Sequence, residues 1–562
     1  MIRRLIPILL LLLGGPAGAG YYTEDGAVRI ISGNHGMQPI LEKFDALFEA
    51  THPGVKFKLE FNRLGNSINV ASIAYGMTLL APMGRQAMPA EMLAFRQAVG
   101  ADPLVIRFAH GTVVSQDKAA PLAIYVNKAN PLDNVTMAQL ERIFTQGAAG
   151  GDLTDWEQLG AGKGAIHTYG TPEISGFGSF LLAEKMHGRS FRQDYEAFPL
   201  AAQIVRRVGQ DAGGIGVAAL GFLTPDVKLL SIDGSAGGAE DIVNGRYPLD
   251  RYIYFYLRDA NDALAKDYVA LVLSPAGQKI IAEEENGFLP LNQAEIAEEA
   301  RKLQMPGPPL DKPYAPEAGS ISIVGDDLMR PVIERLNALF HVEHGDARFS
   351  IALKGASTGI SGLTAGVSAL APMAREARPV ETEPFKRLTG YDPTDIHIGR
   401  SVRNPPAVYV NAANPLTRLD LGQVLRIFSS GELSRWEQLG WKPRNIHLYG
   451  PRDDGGWAST LLKDRPFARH YEGVADPIAA VAEDRYGIAL AEQGTMPKGV
   501  RRLLPLPQTL RFYINRPATD PLILDYLGLA LSAKGQAAIR ELGYLPLDPD
   551  EIAGELAKLG RD

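Results

Sequence analysis

Apolar and polar positions follow two alternating periods along this chain, and the same succession of periods occurs twice. Ala27-Val28-Arg29-Ile30-Ile31 has the short apolar run of a buried strand. Ser32 to Gly36 reads as a turn, and Pro39 falls where a helix takes proline in its first turn. Ile40, Leu41, Phe44, Leu47 and Phe48 then recur at the spacing of one helical face. Val55 to Phe61 returns to a two-residue period and predicts a second strand. The whole pattern reappears later: Ser320 to Val324, a turn, Pro331, then Val332, Ile333, Leu336, Leu339 and Phe340. Strand, helix and strand at this spacing make a βαβ unit. Further along, Leu122 to Val126 and Ala407 to Val410 predict strands, each followed by a helix, near Thr136 to Phe144 or at Leu421 to Phe428. Gly213 to Leu220 and Tyr486 to Leu490 are glycine-containing apolar segments, and each half is expected to end in a helix, Pro275 to Glu284 and Ala533 to Leu542. The fold class is α/β.

The repetition extends to the residues themselves. Leu80-Ala81-Pro82-Met83-Gly84-Arg85 returns as Leu370-Ala371-Pro372-Met373-Ala374-Arg375, and Tyr125 to Leu132 returns as Tyr409 to Leu416. Arg142-Ile143-Phe144 matches Arg426-Ile427-Phe428, and Trp156-Glu157-Gln158-Leu159-Gly160 recurs unchanged at Trp436 to Gly440. Ile166 to Gly170 matches Ile446 to Gly450, and Gly287-Phe288-Leu289-Pro290-Leu291 matches Gly543-Tyr544-Leu545-Pro546-Leu547. Order is kept over a period far longer than that of a solenoid repeat, so the repeating unit is a whole domain. The expected division is a first domain over 20–304, a Pro-rich linker over 305–317 and a second domain over 318–562. Proline makes such a linker semi-rigid.

Composition narrows the class. The 562 residues exceed one ordinary domain core, and 46% hydrophobic with 22% charged residues fits a soluble globular chain. A formal net charge of −7 gives no polybasic surface for nucleic acid. At the N-terminus, Arg3 and Arg4 precede the apolar segment Leu5 to Leu13, which is too short to span a bilayer, and Ala17-Gly18-Ala19 follows. This is the layout of a secretory signal peptide over 1–19, and predicts export with cleavage after Ala19. The chain has no cysteine, hence no disulfide, no thiolate metal site and no acylated cysteine anchor. An exported chain of this kind is expected free in the periplasm, without a lipid anchor.

Together these segments resemble the periplasmic phosphate ABC-transporter substrate-binding protein family, as two tandem divergent copies. The resemblance is carried by the opening strand, turn and helix, the Gly65-Asn66-Ser67 and Gly355-Ala356-Ser357-Thr358 turns, the Ala-Pro-Met-x-Arg segments, the Asn-Pro-Leu strand ends, the Ile-Phe helices followed by Trp-x-x-Leu, and the closing Leu-Pro-Leu. It implies two tandem type 2 periplasmic-binding-protein domains. Each would have two α/β lobes joined by crossing strands, with the ligand in the cleft between them. The implied ligand is inorganic phosphate or a similar oxyanion, and the implied partner an inner-membrane ABC transporter permease.

An oxyanion site needs backbone amides at helix starts, hydroxyl donors and an arginine fork. Copy one offers Asn34, His35, Gly36 and Met37, then Ser67, Arg85, Ser175 and Gly176. Copy two offers Leu328 beside Asp327 and Met329, then Ser357, Thr358, Arg375, Arg452, Gly455 and Gly456. Each copy departs from the family pattern. Gly36 and Leu328 stand where the family has a hydroxyl residue, and Leu79 and Ala369 where it often has aspartate. The Ser-Gly helix start survives only as Ser175-Gly176, and the arginine before it only as Arg452, with Pro172 in copy one. The serines and Thr358 have equally the chemistry of helix caps, and Arg85 and Arg375 that of salt-bridge partners. Trp156 and Trp436 are expected in the core.

His341-Val342-Glu343-His344 lacks a third ligand, so no metal is expected. The chain shows no phosphate loop, no nucleophile elbow and no paired carboxylates with a catalytic pattern, so neither an enzyme nor a cofactor is expected. The departures leave a second reading open, in which the tandem pair is a degenerate binding-fold module serving protein–protein interaction, sensing or envelope assembly.

Overall fold

The apolar faces of the strands and helices can be buried only by layering, and the chain does this in four lobes. The structure, a computed structural model, describes residues 20–560 apart from 34, 62–65, 114–118, 174, 199, 284–286, 306–319, 402–406, 452–470, 475, 492–495, 506–507 and 516–519. The expected signal segment and nearly all of the expected linker therefore lie outside the described residues.

In copy one, strands Val28–Ser32 and Phe57–Phe61 pair in parallel around helix Gln38–Thr51. Beside them lies an antiparallel sheet in the order Phe288–Leu289, Leu104–Thr112, Tyr252–Leu257, Ala81–Met83. Ile30, Phe44, Phe48, Phe108, Phe255 and Tyr268 fill the core of this first lobe. The second lobe is built on six strands in the order Asn134–Val135, Val227–Ile232, Leu122–Asn127, Gly214–Ala219, His167–Gly170, Glu196–Ala197. Its core includes Trp156, whose Nε1 donates to the Gly213 carbonyl at 3.0 Å.

Copy two repeats the plan. Ser320–Gly325 pairs in parallel with Arg348–Leu353, and a three-stranded sheet runs Ala371–Met373, Gln508–Ile514, Thr394–Ser401. Its second lobe carries five strands in the order Tyr471–Val474, His447–Pro451, Gly487–Ala491, Ala407–Asn411, Val500–Pro505. Trp436 is fully buried there and donates Nε1 to the Tyr486 carbonyl at 2.9 Å.

In copy one the chain crosses between lobes twice, after Thr112 and before Tyr252. The two crossings are bonded to each other: Gly111 N donates to Arg251 O at 2.7 Å and Leu122 N to Leu249 O at 3.0 Å. A Cβ at Gly111 would stand 2.0 Å from the Ala119 carbonyl, so only glycine fits that crossing. His110, fully buried, bridges Asp250 at 2.7 Å and Glu295 at 3.1 Å. Burial alone would lower its pKa, but the two carboxylates outweigh burial and raise it to about 9.

The expected end of each copy is corrected. The helices Pro275–Ala282 and Ala533–Glu541 are not the last. Asn292 with Glu295, and Asp548 with Glu551, form capping boxes that start further helices, Gln293–Lys302 and Pro549–Lys558. These return to the lobe-one sheets, where Glu299 accepts Arg107 N at 3.1 Å and Glu555 accepts His397 N at 3.0 Å.

The copies pack on each other through lobe one. Helix Asn66–Ala74 lies against Pro379–Thr389, and Pro89–Val99 lies reciprocally against Ser357–Thr364. This is the arrangement of a two-fold dimer within one chain. Ile68 and Ala71 are buried there against Val380. Ion pairs Arg29–Glu383 at 3.8 Å, Lys354–Glu173 at 2.9 Å and Arg206–Asp476 surround the contact.

Candidate functional site

The βαβ turn, the Ala-Pro-Met strand and the helix that follows it converge at one side of each lobe one. In copy one, Asn66 Oδ1 accepts Gly84 N at 2.8 Å and fixes the end of strand Ala81–Met83. Arg85 is thereby turned inward. Its Nη1 and Nη2 donate to the two carboxylate oxygens of Glu91 at 2.8 and 2.7 Å, and Nη2 also reaches Ser67 Oγ at 3.1 Å. Glu91 occupies the third position of helix Pro89–Val99 and accepts Met88 N at 2.7 Å. Both partners are buried. Burial alone would raise the Glu91 carboxyl, but the Arg85 guanidinium holds it below the ordinary range.

Copy two has the same construction. Arg375 donates twice to Glu381 at 2.7 Å and to Ser357 Oγ at 2.9 Å. Thr358 Oγ1 donates to the Gly355 carbonyl at 2.7 Å and closes the turn before its helix. Arg85 and Arg375 therefore hold bidentate bonds to protein carboxylates rather than free forks.

Across the cleft of copy one, Ser175 Oγ accepts Gly178 N at 2.9 Å and caps the helical turns that begin at Gly176. A Cβ at Gly176 would stand 3.4 Å from Arg85 Cδ. Ser67, Arg85, Ser175 and Gly176 are thus brought together from two lobes. Gly36 and Met37 lie in the single 3₁₀ turn His35–Met37 before helix Gln38–Thr51, and the Met37 side chain is buried in the lobe-one core. Asn34 and the His35 side chain lie outside the described residues, as do Arg452, Gly455 and Gly456.

Leu328 is 57% exposed in the matching turn of copy two, and its backbone N donates to Asp326 Oδ1 at 3.1 Å. Asp326 is buried and its Oδ2 accepts Ala374 N at 3.0 Å. Burial raises the pKa of both Asp326 and Asp327. The Asp326 charge adds to the shift on Asp327, which reaches about 7.

Sequence reasoning missed Glu91, Glu381, Asp326 and Arg251. The first two had a signal, glutamate two residues after a helix-opening proline in Pro89-Ala90-Glu91 and Pro379-Val380-Glu381, where a capping box places it. Arg251 had none, since it lies just before strand Tyr252–Leu257 and only the fold carries it to the cleft. Among the described residues, no group of three or more His, Asp or Glu side chains is placed to hold a metal ion, and no helix is long and apolar enough to cross a membrane. The arrangement gathers hydroxyls, backbone amides and guanidinium groups at one side of each lobe one.

Comparison with known proteins matches the duplication. A sequence profile described as a PBP superfamily domain matches residues 119–276 and 312–501. The phosphate-binding protein PstS of Pseudomonas aeruginosa is 29% identical over 272 residues, covering 45% of this chain and 80% of that protein. Phosphate-binding protein PstS 2 of Streptococcus agalactiae is 28% identical over 233 residues, covering 41% of this chain and 70% of the relative. Among solved structures, PstS from Borrelia burgdorferi aligns with a TM-score of 0.35 at 19% identity, over 47% of this chain and 99% of that one.

Proposed function

The chain belongs to the PBP superfamily, and from that premise we propose that it is an exported, periplasmic solute-binding protein that takes phosphate or a related tetrahedral oxyanion between lobes and presents it to an ABC transporter permease. The observation that carries the reading is the meeting of Ser67 and Arg85 from lobe one with the Ser175-Gly176 helix start of lobe two. Amides and hydroxyls at a helix start favour an anion, and a cleft bounded by two hinged lobes can close on one. Relatives that bear the name phosphate-binding protein support the choice of phosphate. The proposed domain limits remain 20–304 and 318–562, with the linker between them.

A ligand that binds only the folded state raises its melting temperature. Phosphate at a hundredfold excess over its dissociation constant should stabilise the chain by about 2.7 kcal/mol. Differential scanning fluorimetry across phosphate, arsenate, sulfate and molybdate reads this directly. An unchanged melting temperature with every one of these anions would rule the proposal out. The second reading, a module for protein contacts, is favoured by Leu328, an apolar side chain left 57% exposed in the copy-two turn.

A further inference from the structure

Among the described residues, buried arginines are placed differently in the two clefts. In copy one, Arg251 lies on the second crossing segment and is 3% exposed. Its Nη2 donates to the Gly84 carbonyl at 2.7 Å. Its guanidinium carbon stands 4.6 Å from the Phe177 ring centre and 5.3 Å from that of Phe180, both in the turns that start at Ser175. A Cβ at Gly176 would be 4.0 Å from Arg251 Nη2, so the group lies at the lobe-two helix start. Glu91 is already engaged by Arg85. Arg251 forms no ion pair among the described residues, and Glu184 and Asp250 act on it only at longer range. Burial, with Arg85 adding its repulsion, lowers its pKa to about 10. Of the two buried guanidiniums only Arg85 has a carboxylate at contact distance, and a buried charge without a counter-ion is costly.

Among the described residues, copy two has no arginine at the place of Arg251. Tyr254 pairs with Met83 as Arg511 pairs with Met373, and counting back along both strands puts neutral Gln508 where copy one has Arg251. The buried Arg378 lies beside Glu381, which Arg375 also engages. The turn that reads Asn34-His35 in copy one is Asp326-Asp327 here. In this turn the Asp326 carboxyl already accepts the Leu328 and Ala374 amides, donors that an oxyanion there would otherwise take.

We infer that copy one alone takes the oxyanion, with Arg251 as the side chain that supplies its counter-charge, and that copy two has lost this role. The inference rests on the oxyanion-binding reading above and specifies which cleft performs it. In the free protein the Arg251 charge is held by π-faces and a carbonyl. In the complex the anion neutralises it at the same place where the Ser175-Gly176 amides begin, so closure and neutralisation occur together.

Equilibrium dialysis of the full mature chain against labelled inorganic phosphate tests this. The expected result is one phosphate per chain. Arg251→Gln should weaken binding by roughly 100-fold, as when one member of a buried charge pair is removed. Arg251→Lys, which keeps the charge but loses the fork, should fall between, and Gln508→Ala should bind as the wild type does. Thermal unfolding of each variant verifies folding. Should Arg251→Gln not fold, the wild-type stoichiometry and Arg251→Lys still decide. Two phosphates per chain, or wild-type affinity in both Arg251 variants, overturns the inference while leaving the proposed function intact. No phosphate bound by the wild type, with none of the related oxyanions bound either, overturns both.

Discussion

Tyr268 and Tyr526 stand at equivalent places in the two lobe-one cores, and each donates its hydroxyl to a buried acceptor at 2.7 Å. In copy two the acceptor is Asn337, and in copy one it is Asp45. Burial pushes the Asp45 carboxyl from 3.8 up to about 7, the Tyr268 hydrogen bond opposes this, and Glu49 and Glu42 add to it. The folded chain therefore keeps a proton that the unfolded chain releases. Stability on this account falls as pH rises through the interval between the two values, and the full cost is present above pH 7. Asp45→Asn copies the solution already used by copy two. It should flatten this pH dependence and raise stability at pH 8 by on the order of 2 kcal/mol. Urea denaturation at pH 5 and pH 8 measures both effects, and a variant less stable than wild type at pH 8 would contradict the account. In the sequence, Asp45 beside Phe44 shows only a polar residue next to a helix stripe; its burial depends on helix Ala263–Leu273, which carries Tyr268 and packs against its own helix.

At the scale of elements, the periodic pattern located most strands and helices because a buried face must repeat at the period of its backbone. It missed the terminal helices Gln293–Lys302 and Pro549–Lys558, whose exposed charged residues dilute the apolar stripe and whose capping boxes are their clearest marks. The crossing strands show a constraint of a different kind. Gly111 lies in the strand that leaves lobe one, bonded to Arg251 of the returning segment. Gly111→Ala forces the two crossings apart, since the new methyl would collide with the Ala119 carbonyl. Overpacking of this order costs about 3 kcal/mol, so the melting temperature should drop by several degrees. Calorimetry gives the value, and an unchanged melting temperature would mean that the crossing can relax freely.

For the whole molecule, the reciprocal packing of the lobe-one helices joins two domains that each have a separate core. The contact uses the helices that carry Ser67 and Ser357, so one wall of each cleft rests on the other copy. Ile68 is 1% exposed in that seam. Ile68→Asp places a charge there with no partner and should uncouple the copies. The wild type is then expected to unfold in one calorimetric transition and the variant in two, with the earlier one displaced by several degrees. A single, undisplaced transition in the variant would show that the seam contributes nothing to stability.

The sequence by itself determined the duplication, the α/β class and most elements, because repeats and hydrophobic periods are properties of neighbours along the chain. It also marked Ser67, Arg85 and Ser175 as polar residues at helix starts and turns. Only the tertiary structure decided which of these charges are already neutralised. Arg85 and Arg375 find Glu91 and Glu381 a few residues away, whereas Arg251 reaches the cleft from a crossing segment far along the chain and meets no carboxylate at contact distance among the described residues. Electrostatic energy depends on distance and burial rather than on sequence separation. The same motif therefore stands in two clefts whose described residues place their buried arginines differently.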